Sequence, residues 1–129
     1  MKLDMIGLTV KDMAESIRFY RLLGWEIPDP EPGEPHHEIT LPNGLRIAWD
    51  DLKMIQEIDP SWTEPAGQRM SLAFLCDSVD EVDDTFGKIG NAGFVGHREP
   101  WDAFWGQRYA QVADPDGNVV DLFCWLPSQ

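Results

Sequence analysis

The sequence predicts an α+β fold in which two βαβββ modules form a curved mixed sheet with a concave pocket. Two observations lead to this fold class. An apolar strand followed by a capped helix occurs twice along the 129 residues, and each half then ends in a tight hairpin. We expect one domain covering residues 1–129, with modules at residues 1–52 and 70–126 and a linker at residues 53–69.

Each module opens with a strand and a helix. Residues 5–10 and 71–76 are short apolar runs typical of strands. Soon after each run, a side chain suited to capping a helix is followed three residues later by glutamate, which completes a capping box. These pairs are Asp12 with Glu15 and Ser78 with Glu81. The helices are predicted to end at Gly24 in the first module and at Gly90 or Gly93 in the second.

Each module closes with strands. Hairpins are predicted over residues 37–49 and 108–123, because Asn-Gly and Asp-Gly readily adopt the positive φ angles of tight turns. Residues 94–97 supply a further strand in the second module, and residues 25–27 are expected to do so in the first. Within the linker, residues 53–58 are predicted to form a helical turn.

Charge narrows the range of partners. Acidic residues outnumber basic ones by 23 to 10, which gives a formal net charge of -13 at pH 7. Such a surface repels phosphate backbones and anionic lipids, so we expect no nucleic-acid or membrane partner, and it weakly favours cationic ligands. No apolar run approaches the roughly 20 residues of a membrane-spanning helix. Cys76 and Cys124 lie in apolar runs, which favours two reduced, buried thiols over a disulfide. Reduced thiols are typical of a cytoplasmic protein, so we expect that location.

Two stretches resemble a known family. Residues 5–24 and 114–123 are similar to the opening and closing motifs of the vicinal oxygen chelate superfamily, which holds glyoxalase I, extradiol dioxygenases and bleomycin-resistance proteins. Residues 45–50, 59–62 and 100–109 are similar to the mitomycin-resistance members, which bind and sequester an antibiotic. The resemblance implies a homodimer whose clefts are shared between chains, with Trp49-side residues from one chain facing residues 101–109 of the other.

The resemblance also locates a metal site. Enzymes of the superfamily hold a divalent metal with side chains from the first and last strands of each module. The internal repeat places these positions at Met5, Ala48, Ser71 and Asp121. Only Asp121 is a good ligand for a hard cation, whereas a catalytic metal needs about three protein ligands. We therefore expect no metal and no cofactor. His36 and His37 are adjacent and point to opposite faces of a strand, and they and His97 are interpreted as isolated histidines.

Aromatic side chains are the candidate ligand contacts. Residues 101–108 interleave three large rings with glycine and charges, and these rings cannot all face one core from a loop. Flat rings can stack on a planar ligand. The predicted ligand-binding residues are Trp49, Trp101, Phe104, Trp105, Tyr109, His37 and Asp121, and no catalytic residue is assigned. Trp125 is a candidate for a dimer contact instead.

Three functions remain open at this point. The sequence favours a metal-free protein that binds and sequesters a planar aromatic antibiotic or similar molecule. The alternative is a glyoxalase- or dioxygenase-like enzyme, that is, a lyase, isomerase or dioxygenase. It would use a non-standard metal set or metal-free acid and base catalysis by Asp121, His37 or Tyr109. The third is a regulatory or structural dimer with a vestigial pocket.

Overall fold

A computed structural model describes residues 1–127 of the chain. Over these residues it contains seven strands and three helices. In chain order they are β1 Met5–Val10, α1 Met13–Leu22, β2 His36–Thr40, β3 Arg46–Asp51, α2 Leu52–Ile58, β4 Leu72–Leu75, α3 Val79–Asn91, β5 Val95–Ala103, β6 Gln107–Ala113 and β7 Val119–Trp125.

The strands form two small mixed sheets, one in each half of the chain. The first has the order β1-β3-β2, and the second has the order β4-β7-β6-β5. In both, the opening strand runs parallel to the closing strand, while the remaining pairs are antiparallel. The mixed α+β prediction is therefore confirmed, and each module keeps the predicted order of a strand, a helix and a closing hairpin.

The first module lacks the extra strand expected at residues 25–27. This segment is irregular, and Ile27 is buried. Its carbonyl accepts a hydrogen bond of 2.9 Å from Nε of Arg21, so the acceptor that a sheet partner needs is already used. Pro28 and Pro30 follow and have no backbone N–H to donate. The first sheet consequently has three strands rather than four.

The helices begin where the capping pairs predict. The side chain of Asp12 accepts a hydrogen bond of 3.1 Å from the backbone N–H of Glu15. The hydroxyl of Ser78 accepts an equivalent bond of 3.0 Å from Glu81. After α3 the chain turns at Gly93, whose φ of 93° is a conformation that glycine adopts without steric cost.

One core joins the two modules. Phe19 and Tyr20 of α1 are fully buried, and the ring of Phe19 packs edge-on against Phe94 of the second module. The hydroxyl of Tyr20 donates a hydrogen bond of 2.8 Å to the buried carboxylate of Asp114. That carboxylate also accepts the backbone N–H groups that shape the turn between β6 and β7. Helix α1 is thereby fixed to the second hairpin.

None of the helices within residues 1–127 has the length and hydropathy needed to span a bilayer. In the same part of the chain, Cys76 is buried and Cys124 is partly buried, and both are free thiols.

Replacing Tyr20 by Phe tests the joint between the modules. Burial and the Asp114 carboxylate raise the pKa of Tyr20 above the ordinary 10.0, so the unfolded chain deprotonates first and stability falls as pH rises above 10.0. We expect Tyr20→Phe to lower the free energy of unfolding by about 1–3 kcal/mol at neutral pH and to flatten the alkaline loss. Urea titrations at several pH values measure both effects. Tyr109→Phe is the control, because its phenol is only partly buried. An equal loss of stability in the two variants at neutral pH would contradict this account.

Gly96 tests the packing of α3 on the second sheet. A Cβ at Gly96 would lie 2.6 Å from Cζ of Phe86, whereas a Cβ at Gly87 of α3 would meet nothing within 4 Å. We expect Gly96→Ala to destabilise the fold by about 1–3 kcal/mol through overpacking. Gly87→Ala is the matched control and should be neutral or stabilising, since alanine favours a helix. Thermal unfolding that ranks the two variants the other way would refute the contact.

Candidate functional site

Alternation of side chains along β6 and β7 separates a core face from an open face. Ala110, Val112, Val120 and Leu122 are buried on the face that packs against α3. Tyr109 pairs with Phe123 and Gln111 pairs with Asp121 across the two strands, so these four side chains share the opposite face. We call this surface the open face of the second sheet, and it carries most of the predicted site residues.

Strand β5 brings Arg98 and Trp101 to the open face. It is longer than the predicted strand at residues 94–97, so Trp101 lies on a strand rather than in a loop. The pairing with β6 shifts between Gly96 and Arg98 and again between Arg98 and Trp101. Each shift adds a residue and reverses the alternation, so Arg98 opposite Gln111 and Trp101 opposite Tyr109 share one face. The guanidinium of Arg98 consequently lies 4.3 Å from the centre of the Trp101 ring.

Four of the predicted residues form one cluster of rings. Trp105 lies at its centre, with its ring edge-to-face against Trp101 at 5.5 Å, Phe104 at 5.0 Å and Tyr109 at 5.1 Å. The indole N–H of Trp105 donates to Oε1 of Gln107 at 2.7 Å, which fixes the ring. Phe104 is 91% exposed and Trp105 is 42% exposed, so the aromatic cluster offers ring surface to solvent.

A polar trio adjoins the aromatic cluster. Nε2 of Gln111 donates to the hydroxyl of Tyr109 at 3.1 Å and to Oδ1 of Asp121 at 3.0 Å. Both amide N–H groups of Gln111 are thus engaged, and the carboxylate fixes which side of the amide carries the nitrogen. Burial and the neighbouring carboxylate of Asp121 raise the pKa of Tyr109 to about 12, so its phenol stays protonated at neutral pH. Tyr109 belongs to both groups, through its ring and its hydroxyl.

A cavity of about 410 Å³ opens beside the polar trio. It is lined by Gln68, Arg69, Met70, Ser71, His97, Tyr109, Gln111, Val119 and Asp121. A slightly larger depression of about 500 Å³ lies elsewhere, between the end of α1 and α3. Its lining includes Asp80, Glu81 and Asp84 but no aromatic ring. We therefore place the candidate site at the open face of the second sheet.

Trp49 and His37 lie apart from this site. Trp49 has no exposed surface, and its ring packs against Tyr20 and Trp25 in the core. His37 pairs with Trp49 across β2 and β3, and its Nε2 lies 2.8 Å from the carbonyl of Pro28. The sequence cannot tell which of two adjacent strand residues faces the core, and the structure turns these two inward. Neither side chain is positioned to contact a ligand on the open face.

The first sheet carries charged groups on its outer face instead. Nδ1 of His36 lies 2.5 Å from Oδ1 of Asp50, the residue opposite it in the sheet. Arg46 pairs with Asp4 at 2.8 Å and with Glu38. Of the two adjacent histidines, His36 is therefore the one on the outer face. The sequence does not predict its contact with Asp50.

The side chains at the four family metal positions do not fit a divalent metal. Met5 and Ala48 lie on paired strands of the first sheet, and Asp121 pairs with Ala73 in the second. Ser71 immediately precedes β4. One carboxylate among a thioether, a methyl and a hydroxyl is not the donor set of a hard cation. Over residues 1–127, no three His, Cys, Asp or Glu side chains are grouped to hold a metal.

Comparison with known proteins identifies the family to which the chain is similar. The family model described as the Glyoxalase/Bleomycin resistance protein/Dioxygenase superfamily matches residues 2–122. No curated protein matches the chain.

Solved structures share the fold. A glyoxalase-related enzyme from Fulvimarina pelagi is 26% identical with a TM-score of 0.81, covering 95% of this chain and 87% of its own. A glyoxalase/bleomycin resistance protein/dioxygenase from Nocardioides is 24% identical with a TM-score of 0.74, and the match covers 100% of this chain and 89% of the Nocardioides chain. A hypothetical protein from S. aureus is 21% identical with a TM-score of 0.80, and the match covers 96% of this chain and 94% of the S. aureus chain. The last two similarities bear on the fold alone.

Acrylamide quenching of fluorescence tests the placement of the indoles. Trp105 and Trp125 are 42% and 62% exposed, whereas Trp49 is 0% exposed. We expect Trp105→Phe and Trp125→Phe each to remove part of the quenchable emission of the folded protein. Trp49→Phe is the control and should remove only emission that acrylamide does not reach. A quenchable Trp49 would mean that the buried face of the first sheet is assigned wrongly.

Proposed function

The chain belongs to the glyoxalase/bleomycin resistance protein/dioxygenase superfamily, and we propose that it binds and sequesters a planar aromatic small molecule. The ligand is an antibiotic or a molecule of similar shape, and holding it unchanged confers resistance. The observation that carries this proposal is the aromatic cluster around Trp105, which stands on the open face beside the polar trio.

The aromatic cluster suits binding better than it suits folding. A ring whose face is exposed contributes little to the core, yet it offers a planar ligand a large contact area at small entropic cost. Each well-placed ring pair adds about 0.5–1.5 kcal/mol beyond the burial of apolar area. Tyr109 links this surface to hydrogen-bonding groups, so a ligand stacked on Trp105 lies within reach of Gln111 and Asp121.

A second copy of the chain is proposed to complete the site. Leu75, Phe104 and Trp125 are exposed by 64%, 91% and 62%, and all three belong to the second sheet or its β5–β6 turn. Large apolar side chains exposed together mark association surfaces in soluble proteins. A homodimer that covers this surface would enclose the ligand between chains.

An enzyme is the second candidate, because the similar structure from Fulvimarina pelagi is named a glyoxalase-related enzyme. Lyase, isomerase or dioxygenase chemistry would here need a non-standard metal set or metal-free acid and base groups. Tyr109, with its raised pKa, can donate a hydrogen bond but is a poor base at neutral pH. The paired carboxylate Asp121 is the better candidate for a base.

Equilibrium dialysis with anthracenemethanol, a neutral planar probe, tests the proposed function. We expect saturable binding, and we expect Trp105→Ala to raise the dissociation constant about ten-fold or more through loss of ring contacts. Trp49→Phe is the matched control and should leave the dissociation constant unchanged, since that indole lies in the core. Chromatography should recover the probe intact.

Four outcomes would count against this function. Absence of saturable binding by the parent protein, or equal affinity in the parent and Trp105→Ala, removes the aromatic cluster as the site. Chemically altered probe favours the enzyme. Stoichiometric metal in the purified protein, measured by elemental analysis, favours the enzyme as well.

A further inference from the structure

The arginines of this acidic chain fall into two groups. Four of the six pair with carboxylates within 4.0 Å, namely Arg18, Arg21, Arg46 and Arg108. Arg69 and Arg98 have no carboxylate oxygen of residues 1–127 within that distance. In a chain with 23 acidic residues against 10 basic ones, a guanidinium without such a partner is the exception.

Both of these arginines lie at the candidate site. Arg69 lines the cavity beside the polar trio, together with Tyr109 and Asp121. Arg98 lies opposite Gln111 in the sheet, and its guanidinium carbon lies 4.3 Å from the centre of the Trp101 ring. The first register shift of β5 is what turns Arg98 to the open face, since in an unshifted strand it would share the core face with Gly96. Two separate segments thus bring positive charge to one surface.

We propose that the planar ligand carries a carboxylate or another anionic oxygen, which Arg98 and Arg69 recognise. This inference rests on the proposed function and specifies the chemical class of the ligand. It differs from the expectation, based on net charge alone, that a cationic ligand is favoured.

Guanidinium chemistry supports this choice. A guanidinium that lies over an aromatic ring keeps its N–H donors in its own plane, where they remain able to form paired hydrogen bonds with a carboxylate. A ligand stacked beside Trp101 would therefore meet both a ring face and a fork of donors. Arginine binds planar anions in two-point geometry more specifically than lysine does.

The carboxylate of Asp121 would repel an anionic ligand bound at this surface. This carboxylate accepts a hydrogen bond from Nε2 of Gln111 at 3.0 Å, so part of its charge is neutralised within the polar trio. The lining of the cavity includes the Asp121 carboxylate and the Arg69 guanidinium, and Arg98 adds a second guanidinium opposite Gln111. Acidic groups farther away than about 8–10 Å are screened at ordinary salt, so the two arginines and Asp121 are the charges that matter most for a bound anion.

Paired probes separate charge recognition from ring stacking. Equilibrium dialysis compares anthracenecarboxylate with anthracenemethanol, which share the ring system and differ in charge. We expect the carboxylate to bind about three- to ten-fold more tightly. The ratio of the two dissociation constants, neutral probe over anion, measures this preference. Arg98→Gln and Arg69→Gln should each reduce the ratio, and Asp121→Asn should increase it. Lys88→Gln, an equal loss of charge on α3, is the control and should leave the ratio unchanged.

The outcomes distinguish this inference from the proposed function. If the neutral probe binds as tightly as the anion, or if Arg98→Gln, Arg69→Gln and Lys88→Gln change the ratio equally, the anionic ligand is ruled out while the aromatic site stands. If neither probe binds saturably, the proposed function itself fails. Circular dichroism of each variant verifies that the fold is retained before the ratios are compared.

Discussion

Side chains alternate between the two faces of every strand, and this constraint decides what the second sheet presents to solvent. On β6 and β7 the row that meets α3 is aliphatic and buried, so the opposite row is free to carry Tyr109, Gln111 and Asp121. The two register shifts of β5 add Arg98 and Trp101 to the same face. The candidate site is thus a consequence of strand register rather than of a special loop.

The first module supports this site without forming it. Its aromatic residues point inward, where Trp49 packs with Tyr20 and Trp25. The hydrogen bond from Tyr20 to Asp114 connects that core to the turn between β6 and β7. Helix α1 is thereby anchored at the turn that joins the strands carrying Tyr109 and Asp121. The outer face of the first sheet is instead charged, with His36 held by Asp50.

Local patterns predicted the elements well and the faces less well. The capping boxes and hairpin turns depend on neighbouring residues, so they located both long helices and four strands. The strand expected at residues 25–27 failed because Arg21 takes the Ile27 carbonyl, a contact that no local pattern reveals. Trp49 and His37 are predicted ligand contacts that the structure places elsewhere, because a sequence gives the period of a strand but not which row is buried. Arg98 was missed because bulges leave no clear mark in the sequence.

The central claim is that a planar ligand stacks on the open face of the second sheet. Nuclear magnetic resonance tests it directly, because each of the six tryptophans contributes one indole N–H signal. On titration with anthracenemethanol, the indole signals of Trp101 and Trp105 should move most, while those of Trp25 and Trp49 stay in place. Large shifts confined to Trp25 and Trp49, with Trp101 and Trp105 unmoved, would contradict the account.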